Sequence, residues 1–167
     1  MRLRHHLVEI EDLYRRHGAS LLLFATSMIG DRARAQDVVH QLFLKFIEDR
    51  SLGRATNKKA YLFGSVRNAV LNESKRAQRS ESLDPDSAWF EAPSRDYAAE
   101  IALRCGLATL PEGQRQAVVL HVWCGFTFSE IADLLELSPD TVASRYRYAL
   151  GKLRDAMGAK EDHCAKS

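Results

Sequence analysis

The chain has 167 residues, 46% of them apolar, with 9 Gly and 4 Pro. This excludes a disordered tail, a collagen-like fibre and a low-complexity linker, and leaves one ordinary domain or two small ones. Its 24 Lys and Arg against 22 Asp and Glu give only +2 overall, but the charge is uneven: residues 1–80 carry 15 basic and 8 acidic side chains, residues 81–100 carry 1 and 6, and residues 101–167 carry 8 of each.

Helical periodicity dominates, and no alternating strand pattern competes with it. Leu7, Ile10, Tyr14, His17, Leu21, Phe24 and Met28 recur at spacings of three and four, predicting one long amphipathic helix that Gly30-Asp31 ends. Val38, Val39, Leu42, Phe46 and Ile47 mark a second helix from about 33 to 48, and Leu62, Val66, Ala69 and Val70 a third from about 60 to 77. A polar connection, 50–59, separates these two. Three such helices suffice for a small bundle.

Residues 80–95 change character, with Pro85, Pro93, four Ser and four acidic residues. They read as an acidic flexible linker, long enough to let two domains sit apart. Helical pattern resumes near Tyr97, stops before Pro111, and runs again from about 112 to 123, ending at Gly125.

The strongest local signal follows. Thr127-Phe128-Ser129-Glu130 is a capping box opening a short helix. Ser138-Pro139-Asp140-Thr141 then supplies an N-cap, a Pro at the first helical position and an acid near the positive dipole end. Two short capped helices across a tight turn make a helix-turn-helix, with Ala132 allowing the close crossing and Val142 filling the wedge. The last helix, from 141 to about 157, directs Val142, Tyr146, Ala149, Leu150 and Leu153 inward. Arg145, Arg147, Lys152 and Arg154 add positive charge with no intervening acid. A recognition helix presents its N-terminal residues to base edges, which singles out Thr141, Ser144 and Arg145.

A second basic zone contains Arg54, Lys58, Lys59, Arg67, Lys75, Arg76 and Arg79, opposed only by Glu73. Asn57, Tyr61, Phe63, Asn68 and Asn72 are interleaved with it. Cations, amides and aromatics together suit single-stranded or partly melted DNA, although core packing is an equal reading for Tyr61 and Phe63.

Three cysteines, Cys105, Cys124 and Cys164, match no disulfide framework or paired metal-ligand spacing and fit reduced thiols in a cytosolic protein. The longest apolar run, 21–29, is half a membrane span, so no membrane insertion is expected. No phosphate loop or hydrolase motif is present, and neither enzymatic activity nor a cofactor or metal is expected.

Leu13-Tyr14-Arg15-Arg16-His17-Gly18, Gly30-Asp31-Arg32-Ala33 and the run from Ala35 to Phe43 occur in the order and spacing of a known family. So do Ala60-Tyr61-Leu62-Phe63 with Arg67-Asn68, Leu110-Pro111-Glu112, Phe126 to Ala132 and Thr141 to Arg145. The chain resembles an extracytoplasmic-function sigma factor, a small two-domain bacterial transcription initiation factor of the sigma-70 family. The resemblance spans about 13–157. It implies an all-α fold of two small helical domains. Residues 1–79 are the docking and −10 domain, 80–95 the linker, 96–160 the −35 helix-turn-helix domain, and 161–167 a tail.

The resemblance further implies that Asp37, Val38, Gln41, Leu42 and Phe43 dock on core RNA polymerase. Arg54, Asn57, Lys58, Lys59, Tyr61, Arg67, Asn68, Asn72, Lys75 and Arg76 would capture the melted −10 element. Thr127, Ser138, Thr141, Ser144, Arg145 and Arg147 would read −35 duplex. An anti-sigma factor is a further implied partner. Gln36, His40 and Gln41 depart from the family's usual acid, Gln and acid, and Glu136 stands where a turn Gly is usual. Loss of two carboxylates motivates an alternative, a polymerase-independent helix-turn-helix regulator. Segment charges place most of the electrostatic grip on DNA in the N-terminal domain.

Overall fold

A computed structural model describes residues 2–77 and 97–164, with side chains over 3–73 and 103–158. The expected linker, 80–95, lies outside the described residues. So do the side chains of Lys75 and Arg76, and those of the 161–167 tail. Every regular element described is helical.

Helix α1 (Arg2–Ile29) begins earlier than its apolar stripe suggests. Its first turns are anchored by His6, whose Nε2 lies 3.0 Å from the Phe46 carbonyl. Ile10, Leu13, Leu21, Phe24 and Ala25 face the core. Thr26 and Ser27 are buried too, their hydroxyls donating to the carbonyls of Leu22 and Phe24, so neither leaves a polar group unsatisfied. Gly30, at φ 78°, turns the chain, and Asp31 caps α2 (Arg32–Asp49) by accepting the Arg34 amide. Alternation of three and four residues buries Ala35, Val39, Leu42, Phe43 and Phe46 against α1 and α3.

The expected polar connection contains a 3₁₀ turn, Ser51–Arg54, because Leu52 is wholly buried and pulls the loop inward. Asn57 then accepts the Ala60 amide at 3.0 Å and starts α3 (Lys58–Ala77), which buries Leu62, Phe63, Val66 and Val70. Phe63 is therefore core, whereas Tyr61 remains 39% exposed.

Helices α4 (Tyr97–Thr109) and α5 (Glu112–Val118) meet at Pro111, and α5 continues into a π-helical turn, Val119–Trp123. Gly125, at φ 71°, ends it. Helices α6 (Phe128–Leu135) and α7 (Pro139–Cys164) complete the helix-turn-helix. Val142, Ala149 and Leu153 are buried as expected, but Leu150 is 42% exposed: it lies off the stripe that Ala149 and Leu153 define.

The two halves do not sit apart. One apolar cluster runs from Ile10, Phe24 and Phe63 through Leu120, Phe126, Ile131 and Val142. Helix α1 packs on α5 and its π turn, and α3 packs on α6. A smaller cluster (Leu107, Leu110, Val118, Ala149 and Leu153) lies beside it between α4, α5 and α7. Aromatic side chains that each half could have buried alone are shared across the seam, which closes the chain into one body.

Candidate polymerase and nucleic-acid interface

Helical geometry sorts α2 into two faces. Asp37, Gln41 and Leu44 lie at i, i+4 and i+7, and all are exposed. Leu42 and Phe43, expected to meet polymerase, instead turn inward as neighbours of Val39 and Phe46. Phe43 stacks edge-on to Tyr14 and Phe46. A residue one position from the stripe is rotated about 100° around the helix. Leu44, 59% exposed, is the apolar residue that this face does offer. Its signal was present: it is the one apolar residue between Val38 and Ile47 off the buried spacing. Val38 is half-buried at the edge, and exposed His40 lies 3.2 Å from the Tyr14 hydroxyl.

Between α2 and α3 opens a groove of about 630 Å³. Asp37, Val38 and Gln41 form one wall and Tyr61, Asn68 and Asn72 the other. Two sets of residues assigned to different partners thus share one cleft. Asn68 and Asn72, one turn apart, expose their amides, and Tyr61 presents an open edge backed by Phe46 with ring centroids 5.8 Å apart. Arg34 closes one end: its Nε and Nη2 donate to Glu73 Oε1 at 3.2 and 3.0 Å.

The cations around α3 have varied surroundings. Arg54 is exposed on the 3₁₀ turn, and Arg67 is half-buried. Lys58 pairs with Glu9 of α1. Asn57 acts as the α3 cap. Lys59 points away from the groove, donating to the Cys124 carbonyl at 2.7 Å with its ammonium 4.2 Å from the centre of the Phe126 ring. Lys59 is therefore engaged across the seam in this conformation, while the nearby Glu9 carboxylate is taken by Lys58.

The helix-turn-helix has the caps its sequence encodes. Glu130 N–H donates to Thr127 Oγ1 at 3.2 Å, and Thr127 N–H donates to the Glu130 carboxylate at 2.8 Å. That backbone bond holds the Glu130 carboxyl below its ordinary range; burial opposes it, and the Thr127 side chain and the Lys59 charge add smaller lowering effects. Glu136 occupies the turn at φ 57°, ψ 46°, the left-handed region favouring Gly. Ser138 Oγ accepts the Thr141 amide at 3.1 Å and shares a 2.8 Å hydroxyl contact with Thr141, so both start α7 while remaining near its positive end. Ser144 is half-buried and Arg147 exposed, 3.5 Å apart at their polar atoms. Arg145 lies over α5: a Cβ on Gly113 would come within 2.6 Å of its guanidinium, so a side chain there would have to displace the end of that arginine. Tyr146 packs against His121 and Phe128, with centroids 5.0 and 5.2 Å away.

Arg115 was not singled out by its sequence context. It is 8% exposed, and its guanidinium donates to three carbonyls: Leu107 at 2.9 Å, Leu110 at 2.7 Å and Ser27 of α1 at 2.9 Å. Burial lowers its affinity for the proton, with Glu112 opposing. Beside the same seam, burial pushes the Cys124 thiol up to about 12, partly offset by Lys59. His17 is lowered by burial first, then by the Lys59 and Arg16 charges. Among the described residues no three His, Cys, Asp or Glu lie close enough together to hold a metal, and no helix is long and apolar enough to cross a membrane.

Two family models match the chain: Sigma-70 region 2 over residues 13–80 and Sigma-70 region 4 over residues 100–153. Over 140 residues it is 30% identical to the ECF RNA polymerase sigma factor EcfG of Rhodopseudomonas palustris, covering 80% of this chain and 77% of that one. It is likewise 30% identical to the RNA polymerase sigma factor CarQ of Myxococcus xanthus, covering 93% of each. Among solved structures, the sigma factor RpoE of Bartonella quintana, in complex with the anti-sigma factor NepR, shares the fold. The TM-score is 0.67 at 22% identity, over 89% of this chain and 98% of that one.

Proposed function

We propose how the parts divide the work in this chain, which belongs to the extracytoplasmic-function group of the sigma-70 family and directs RNA polymerase to promoters. The exposed stripe of α2, Asp37 and Gln41 with Leu44 in place of Leu42 and Phe43, docks on core polymerase. The opposite wall of the same cleft, Tyr61, Asn68 and Asn72, receives unpaired bases of the −10 element, with Arg54 and Arg67 beside them for phosphates. The start of α7, with Ser138, Thr141, Ser144 and Arg147, meets −35 duplex in the major groove. Residues 1–79 and 96–160 are the two functional units. An anti-sigma factor is the regulatory partner, as NepR is for the Bartonella protein.

The observation that carries this reading is the shared α2–α3 cleft, which holds docking and base-capture residues within one groove of about 630 Å³. Polymerase bound on one wall would hold the melted strand against the other. Asp37→Arg and Leu44→Asp should each weaken capture of core RNA polymerase at least tenfold and abolish promoter-directed transcription in a reconstituted assay. Thermal stability should hold, because both side chains are exposed. Unchanged capture by both variants would refute the docking stripe.

A further inference from the structure

The α2–α3 cleft ends in a carboxylate, an odd neighbour for a strand of phosphates. Glu73 is the one acid between Arg54 and Arg79, where its charge would repel a captured backbone. Arg34 of α2 answers that charge unevenly: Nε and Nη2 both donate to Oε1, at 3.2 and 3.0 Å, rather than one to each oxygen. Glu73 Oε2 is left buried without a hydrogen-bond partner. A buried acceptor without a donor is costly and rare in a folded chain, and this one belongs to a residue lining the groove beside Asn72. We propose that Glu73, held by Arg34, reads one base of the melted strand by accepting its exocyclic amine, and so excludes thymine at that position.

Helix rise decides which base this is. Glu73 lies about 18 Å along α3 from Tyr61, so the base stacked on the Tyr61 ring and the base read by Glu73 are different ones. Asn68 and Asn72 line the wall between them. Oε2 is recessed, so a group projecting from the base ring reaches it more readily than a ring N–H does. Adenine, cytosine and guanine each carry an exocyclic amine, whereas thymine carries only carbonyl oxygens and a methyl group. A carbonyl oxygen turned toward Oε2 would set lone pair against lone pair. The terminal torsion of a Glu is broad, so Oε2 can swing toward the groove while Oε1 keeps a guanidinium donor. Glu73 has this role only if α3 receives the −10 strand, as proposed above, and the variants below separate the two.

Holoenzyme reconstituted from the full chain and core RNA polymerase tests this on a pool of premelted templates randomised across the −10 element. Sequencing of the retained templates should show one position where thymine is depleted about tenfold. Glu73→Gln keeps an oxygen for Arg34 and replaces the free acceptor with an amide N–H. Thymine should then return to within about twofold at that position and at no other. Arg34→Met, which releases the carboxylate, should relax the depletion as well, whereas Arg34→Lys, which keeps a donor on it, should retain it.

Base analogues isolate the amine itself. Hypoxanthine in place of adenine or guanine, or uracil in place of cytosine, removes the exocyclic amine at the selected position. Wild-type holoenzyme should then lose about tenfold in affinity for the template, and the Glu73→Gln holoenzyme about twofold at most. Equal losses in both would overturn the role of Glu73, as would a wild-type profile with no thymine-poor position. A Glu73→Gln chain that melts at lower temperature yet selects the wild-type profile would overturn it too, leaving the Arg34 pair as a brace between α2 and α3. If Asn68→Ala and Asn72→Ala also leave the profile unchanged, α3 itself loses its assignment to the −10 strand. If they alter it while Glu73→Gln does not, only Glu73 loses its role.

Discussion

Removing the Arg115 guanidinium tests the seam by energy rather than shape. Its three donors serve carbonyls that helix geometry leaves without partners: Ser27 in the last turn of α1, Leu107 in the last turn of α4, and Leu110 just beyond it. Leu107 also accepts the Leu110 amide at 3.3 Å, so its loss would be partly covered. Arg115→Met keeps the apolar stem and strands the other two carbonyls in a buried site. At 1–2 kcal/mol for each, with a smaller contribution from Leu107, the expected loss is about 3 kcal/mol.

Urea unfolding should show the midpoint falling by roughly 1.5 M for an m-value near 2 kcal/mol/M. Because one of the three bonds crosses the seam, the same substitution should remove about 2 rather than 3 kcal/mol in the background of Gly64→Glu, whose side chain would push from α3 against Leu134 of α6. That leaves a coupling of about 1 kcal/mol between sites on different helices. A loss below about 1 kcal/mol in the wild-type background would refute the reasoning: it would mean that these carbonyls find other donors.

The remaining predictions concern the helix-turn-helix. Thr127→Ala should lower stability by about 1 kcal/mol, read by thermal unfolding. Glu130→Gln isolates the charge: the folded-state carboxyl is held below its ordinary 4.5, chiefly by the Thr127 amide, so its stabilisation is present above that pH and fades as the pH falls further. The variant should therefore show a shallower loss of stability below about pH 4.5 than the wild type. Glu136→Gly should raise the melting temperature, relieving a left-handed residue worth roughly 0.5–1 kcal/mol. An unchanged or lower value would show that the Cβ at φ 57° is not strained.

What could be read from the sequence was what neighbouring residues decide. The capping box, the Ser138 cap and the inward stripes of α2 and α3 depend on residues within one or two turns, and the structure repeats them except that Ile47 is exposed and Val38 and Ala69 sit half-buried at the stripe edges. Adjacent residues misled on α2, where Leu42 and Phe43 follow Gln41 in the motif but not on its face. Leu44 restores the helical spacing. The 3₁₀ turn around Leu52 and the π turn after α5 had no local signal, because each exists to fit a segment onto distant helices.

The seam was the least legible feature. Phe63 and Phe126 each fit a core within their own half, and Lys59 and Arg115 have no marked neighbours in sequence. Their partners lie 63, 65 and 88 residues away, as Phe63–Phe126, Lys59–Cys124 and Arg115–Ser27. Long-range contacts of this kind are set by which surfaces meet, and hydrophobic periodicity reports only that a surface is apolar.

The character of the seam also decides what controls it. Both bridging cations donate to backbone carbonyls rather than carboxylates, the Cys124 thiol does so to Ser20, and the buried cluster around them is aromatic and aliphatic. Such a seam is little screened by salt, since its hydrogen bonds run to neutral carbonyls and the Lys59 charge is the smallest of the causes acting on Glu130 across it. DNA binding is the reverse: each phosphate neutralised releases counterions, and affinity falls steeply as salt rises. In this conformation Lys59 is given to an uncharged partner, so the +7 of residues 1–80 is offered to DNA through its exposed and half-buried cations, Arg54 and Arg67 among them.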